Sequence, residues 1–232
     1  MKLTARDIAR MIDISAVRTQ HGEREITTLV ENAKRYRFIA VHVLPCWVPL
    51  LKRLLIGEED IMIGAPVGFP SGAHRSQITV AEATMLIADG VQEMDMVINV
   101  GKLRSGCFAD VEEDAAAVVK AAGPVPVKVI IETPYLDADE IKRACEICIK
   151  VGAAYVKTST GWAPNGATLE SIRLITSFVG NAIKVKAAGN IRDLDTMIQM
   201  YRMGVPRFGI NLDSSMEIVS RVAALPGGAV EV

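Results

Sequence analysis

Compact apolar runs of four to seven residues alternate with longer stretches whose apolar positions recur every three or four residues, along the whole 232-residue chain. The runs predict strands over Arg10 to Ile14, Phe38 to Leu44, Ile61 to Pro66, Glu93 to Ile98, Val127 to Ile131, Ala154 to Thr158, Ile183 to Ala187 and Arg207 to Ile210. Short Val- and Ile-rich segments bounded by Gly, Pro and Asp fit buried strands. The longer stretches predict helices, among them Gln77 to Ala88, Asp110 to Ala122, Ala138 to Val151, Leu169 to Phe178 and Leu194 to Met203. Strand starts recur about every 23 to 34 residues, the length of a βα unit. Eight such units predict an α/β protein with one (β/α)8 TIM-barrel domain over residues 1–232. A doubly wound open sheet is the alternative, but no Gly-x-Gly-x-x-Gly follows the first strand.

An internal rhyme supports repeated units. Gly90, Gly152 and Gly204 each end a helical stretch, and five residues on lie Asp95, Lys157 and Gly209, each inside the next strand. Glycine is the usual left-handed residue after a helix. Half of the residues are hydrophobic and only 5% aromatic, the composition of a parallel sheet covered by helices. The charge is nearly balanced, with 26 basic and 27 acidic residues and no basic stripe, so no nucleic-acid or membrane partner is expected. No apolar run approaches the ~20 residues of a membrane span, and the N-terminus leads into an amphipathic segment. The expected location is the cytoplasm.

Four cysteines make no disulfide framework in a chain of this length. Cys145 and Cys148 form a Cys-x-x-Cys, but they sit in a helical pattern with no second pair or nearby histidine to complete a zinc site. They read as small residues on a buried helix face. His21, His42 and His74 are dispersed without metal-ligand spacing, so no metal is expected.

The chemistry concentrates in Ala154-Tyr155-Val156-Lys157-Thr158-Ser159-Thr160-Gly161-Trp162. Here an apolar strand carries one lysine at its end. Burying an ammonium is costly, and a buried lysine shifts toward the neutral amine, a nucleophile for carbonyl carbon. The bland reading is a lysine that snorkels to solvent or closes a salt bridge. Two further polar interruptions argue for chemistry. Lys184 and Lys186 lie two apart on the seventh strand and therefore face the same way, and Asp95 lies in the fourth. Lys186 is nearer the C-terminal end of its strand, where barrel active sites gather. A second cation beside Lys157 disfavours its protonation, and a carboxylate within reach can shuttle protons. Lys157 as nucleophile, Lys186 as neighbour and Asp95 as shuttle are the parts of a Schiff-base aldolase that needs no cofactor.

Several longer segments carry a resemblance to a known family. Val67-Gly68-Phe69-Pro70-Ser71-Gly72-Ala73, Glu93-Met94-Asp95-Met96-Val97-Ile98-Asn99-Val100-Gly101, Val127 to Thr133, and Val156-Lys157-Thr158-Ser159-Thr160-Gly161 continuing to Gly166-Ala167-Thr168 occur in the order found in the deoxyribose-phosphate aldolases. From about Ala40 to Arg207 the chain resembles that family of class I aldolases on (β/α)8 barrels. The resemblance implies Lys157 as the imine-forming lysine, Lys186 as the neighbour that lowers its pKa and Asp95 as the proton-relay acid. It also implies substrate contacts at Thr158, Gly161, Gly189, Asn190, Gly209 and Asn211. The implied reaction is reversible cleavage of 2-deoxy-D-ribose 5-phosphate to acetaldehyde and D-glyceraldehyde 3-phosphate, by a homo-oligomer.

Departures cluster at the substrate end. Asp13-Ile14-Ser15 lacks the family's His-Thr after the aspartate, and Lys186-Ala187-Ala188-Gly189-Asn190 lacks its second glycine. The sixth-strand loop carries Ala163 and Asn165 where glycines are common. Gly209-Ile210-Asn211-Leu212-Asp213 replaces Gly-Thr-Ser, removing two hydroxyls and adding a carboxylate expected to repel a dianion, with Ser214 and Ser215 as candidate replacements. Two alternatives follow: the same imine chemistry on another hydroxy-aldehyde, phosphorylated or free, and a sugar-binding paralogue without turnover.

Overall fold

The computed structural model describes residues 1–232. A short strand β1 (Lys2–Thr4) and helix α1 (Ala5–Ala9) lead into β2 (Ile12–Ala16). There follow α2 (Glu23–Tyr36), β3 (Ala40–Val43), α3 (Val48–Leu54), β4 (Met62–Val67), α4 (Ser76–Asp89) and β5 (Glu93–Val97). The chain continues through α5 (Val100–Arg104), α6 (Phe108–Ala122), β6 (Val127–Ile130), α7 (Ala138–Lys150), β7 (Tyr155–Lys157) and α8 (Leu169–Val179). It ends with β8 (Lys184–Ala188), α9 (Leu194–Arg202), β9 (Arg207–Ile210), α10 (Leu212–Ala223) and β10 (Ala229–Glu231). Strands β2 to β9 pair in sequence order, all parallel, and β9 returns to β2 to close the barrel. The predicted (β/α)8 barrel is the observed fold.

Every residue of β3, β5 and β6 is buried, because helices cover one side of each strand and the barrel interior the other. The apolar side chains of both layers merge into one cluster of 58 buried residues. Local chemistry sets helix limits. At α7 Asp137 accepts from the Glu140 amide at 2.9 Å, and Glu140 accepts in return from the Asp137 amide, a reciprocal cap. Losing such a cap costs about 1 kcal/mol. Gly90, Gly152 and Gly204 all have positive φ (98°, 74° and 95°), so the repeated helix–glycine–strand step exists as predicted.

The first predicted strand is displaced: Arg10 caps α1 and Met11 is a turn, so β2 starts at Ile12. The apolar pair Met11-Ile12 extends the strand pattern backward into a turn whose function is helix capping. The terminal ribbon was not foreseen. β1 pairs antiparallel with β10, joining the chain ends at the end of the barrel where β2 begins. Cys145 and Cys148 are buried on α7 as expected, and burial pushes the Cys145 thiol up to about 12 and Cys148 well above its usual value.

Candidate active site

Strand register brings the two expected lysines together. Lys157 on β7 and Lys186 on β8 are direct partners, and Lys186 in turn pairs with Arg207 on β9. Both ammonium groups donate to the same oxygen of Asp95, Lys157 at 2.7 Å and Lys186 at 2.6 Å. Lys184 has a different fate, although it lies on the same strand. It stands exposed at the start of β8, its ammonium 5.6 Å from the centre of the Tyr155 ring.

Below this trio lies a buried charge cluster that the sequence reading missed. Asp13 Oδ2 is 2.5 Å from the Lys186 ammonium, and Arg207 Nε donates to Asp13 Oδ1 at 2.5 Å. Arg207 Nη2 reaches both oxygens of Glu93, at 2.7 and 2.9 Å. Lys128 sits 2.8 Å from Glu93 and 3.4 Å from Asp95 Oδ1, ion-pair contacts without aligned hydrogen bonds. His42 Nε2 contacts Glu93 Oε1 at 2.9 Å, while its Nδ1 is 3.7 Å from Asp95. The ring lies over Gly64, where a Cβ would fall 2.3 Å from the imidazole, so only glycine admits it. The missed signal was present as charged residues two apart on one strand (Glu93 and Asp95) and single charges in otherwise apolar strands (Lys128, Arg207).

Charge matching within the cluster bears directly on Lys157. The three carboxylates of Asp13, Glu93 and Asp95 are balanced by Lys128, Lys186 and Arg207. A protonated Lys157 is a surplus cation in a desolvated place. Burial lowers the Lys157 amine most, Asp95 raises it, and Lys186 lowers it further, leaving it at about 8 instead of 10.5. Lys186 moves the other way. Burial lowers it, but Asp13, Asp95 and Glu93 outweigh burial and hold it above its usual value, so it stays a cation. Burial pushes the Asp95 carboxyl up, but the surrounding cations, Lys157 first and Lys186 next, hold it well below the carboxylate range.

The cluster forms the floor of a cavity of about 340 Å³ at the C-terminal ends of the strands. Lys157, Lys186 and Asp95 line it, as do the predicted contacts Gly161, Gly189, Asn190, Gly209 and Asn211. Thr158 does not. Its hydroxyl donates to the Ala188 carbonyl and accepts from the Ala188 amide, both at 2.9 Å, so it ties β7 to β8 and is unavailable to a ligand. The side chain next to the key lysine alternates out of the barrel, which adjacency in sequence concealed. Asp213, expected to repel a dianion, is exposed in the first turn of α10 and does not line the cavity. Asn211 caps that helix through the Ser214 amide, and the Ser215 hydroxyl donates to the Asn211 carbonyl, so neither serine lines the cavity.

Asp13, His42 and Glu93 bring potential metal-ligand atoms within 4.8 Å of one another. Their carboxylates already face Lys186, Arg207 and Lys128, so a divalent ion there would add charge to a set already neutralised. The donor set suits an ion-pair network better than a metal.

Comparison with known proteins places this geometry. The model of the DeoC/LacD family aldolases matches residues 15–204. The chain belongs to that family. It is 46% identical over 228 residues to the deoxyribose-phosphate aldolase of Klebsiella pneumoniae, covering 97% of this chain and 92% of that one. It is likewise 46% identical over 230 residues to the enzyme of the same name from Rhizobium meliloti, covering 99% and 93%. Among solved structures, an aldolase called QR15 is 38% identical with a TM-score of 0.87, covering 93% of this chain and 95% of that one. A tetrameric deoxyribose-phosphate aldolase from Aeropyrum pernix, 24% identical, shares the fold with a TM-score of 0.87 over 96% and 94% of the two chains. This protein is therefore an aldolase, and no helix in it is long and apolar enough to cross a membrane.

Proposed function

We propose that this aldolase reversibly cleaves 2-deoxy-D-ribose 5-phosphate to acetaldehyde and D-glyceraldehyde 3-phosphate through an imine on Lys157. One observation carries the reading: Lys157 is the surplus cation of the buried cluster, depressed to about 8 and open to the cavity. Its neutral amine attacks the C1 carbonyl, and loss of water from the carbinolamine gives the iminium. Asp95, acting through a water, takes the C3 hydroxyl proton as the C2–C3 bond breaks, and the bonding electrons enter the iminium to form the enamine. Protonation at C2 and hydrolysis then release acetaldehyde and restore the amine.

Asp95 is well placed to change basicity during this sequence. The Lys157 cation is the strongest influence lowering its pKa. Bond cleavage turns the iminium into a neutral enamine, which removes that influence at the moment a proton must be accepted. Lys186 stays charged throughout, held by Asp13. It keeps the resting Lys157 amine depressed and fixes Asp95 in place.

The experiment is reductive trapping: borohydride with 2-deoxy-D-ribose 5-phosphate, then mass mapping of the modified lysine, beside turnover assays on aldehydes with and without phosphate. A reduced adduct on Lys157 with turnover of the phosphorylated sugar is expected. Turnover without any lysine adduct overturns the imine, and turnover restricted to unphosphorylated aldehydes overturns the substrate. Trapping without turnover returns the paralogue that only binds. We further propose that the 232 residues act as one domain, in a cytoplasmic homo-oligomer without nucleic-acid partners. Support for this is the family resemblance and the balanced charge; light scattering measures the assembly.

A further inference from the structure

Arg18 leaves the end of β2 and crosses the cavity mouth. In the barrel ring β2 is separated from β7 by β9 and β8, yet Arg18 Nη2 donates to the carbonyl of Gly161, in the loop after β7, at 2.7 Å. Its guanidinium rests on the Trp162 ring, 5.6 Å from the centroid. The same loops are tied again by the Trp162 indole N–H, which donates to the Val17 carbonyl at 3.0 Å. The side chain thus spans from the β2 end to the β7 end of a cavity that Gly189, Asn190, Gly209 and Asn211 also line.

The guanidinium is fixed but not neutralised. It makes one hydrogen bond, to a carbonyl, and no ion pair, leaving most of its five N–H donors free. Arg192, on the loop after β8, also lines the cavity without an ion pair. The carboxylates that line the cavity, Asp13 and Asp95, are both held at the floor by lysines or Arg207. A substrate joined to Lys157 at the floor therefore directs its far end toward uncompensated positive charge. A planar, oriented guanidinium is suited to bidentate binding of phosphate oxygens. The last barrel strand offers no hydroxyl there, and Asp213 is exposed on the following helix and does not line the cavity.

We propose that Arg18 is a specificity-determining residue of this aldolase, clamping the substrate's terminal phosphate from the β2 side of the mouth. The proposal rests on the substrate reading above and adds a residue and a charge to it. The test compares wild type, Arg18→Gln and Arg18→Lys on 2-deoxy-D-ribose 5-phosphate and on 2-deoxy-D-ribose. Arg18→Gln is expected to raise KM for the phosphorylated sugar by roughly 10- to 100-fold, the loss of a charge-assisted contact. The ratio of kcat/KM for the phosphorylated over the free sugar falls by a similar factor, because binding common to ground and transition state is what is removed. Arg18→Lys restores part of it as a point charge without the fork. Isothermal titration with inorganic phosphate, wild type against Arg18→Gln, reads the clamp without turnover, and weaker binding by the variant supports it even if the wild type cleaves neither sugar. Equal losses on both sugars, or phosphate binding unchanged by the substitution, overturn the clamp and leave Arg18 as a tie between two loops.

Discussion

At the floor of the cavity Lys186 and Arg207 are locked to carboxylates, whereas at its mouth Arg18 and Arg192 have no carboxylate partner. The contrast separates two tasks. Floor charges are desolvated, so each must be balanced, and their balance decides which amine stays neutral. Mouth charges are in water, where an unpaired arginine costs little and is available to a ligand. Floor substitutions should therefore alter chemistry and folding, and mouth substitutions should alter the choice of substrate.

The largest effect expected is that of Lys157→Ala, which removes the nucleophile. We expect kcat/KM for carbon–carbon cleavage to fall by at least about 10⁴-fold with no borohydride adduct; cleavage retained by the variant would break the comparison outright. Arg207→Met should be the next largest. It leaves Asp13 and Glu93 short of a cation inside the barrel, with a loss of about 3–5 kcal/mol in urea denaturation. A well-folded variant of near wild-type stability would show that the floor tolerates imbalance.

The pH profile sharpens the same point. Because folding lowers the Lys157 pKa to about 8, the reactive amine predominates above that pH and is protonated below it. We expect log kcat/KM to fall with unit slope below about pH 8. An acid limb near the ordinary lysine value of 10.5 would contradict the surplus-cation argument. The smallest effect expected is for Lys184→Gln, two residues from Lys186 but in water against Tyr155. Its rate should stay within about twofold of wild type, as surface substitutions cost little. Depth along the barrel axis, and not residue type or strand, distinguishes these two lysines.

Much of this was readable in the chain. The period of apolar runs predicts eight βα units, and the strands from Phe38 onward lie within two residues of their predicted limits. Lys157, Lys186 and Asp95 stood out because an ionised group in an apolar strand is exceptional. Asp13, His42, Glu93, Lys128 and Arg207 did not stand out as a set, since they come from five strands and meet only when the barrel closes. Thr158 neighbours the key lysine in sequence, but strand alternation turns its hydroxyl to the Ala188 backbone. Asp213 follows the α10 cap at Asn211 and is exposed outside the cavity lining, a placement that its nearness in sequence to the strand end does not show.

Local sequence determined the order and type of the elements, because strand and helix periods are properties of a few consecutive residues. It also determined which strands carry charge. Only the closed barrel decided which charges share a carboxylate, which lysine is left over, and that an arginine after β2 lies over a tryptophan after β7. Those outcomes depend on register and distance between strands far apart in the chain, and electrostatic energy in a desolvated interior is set by such distances.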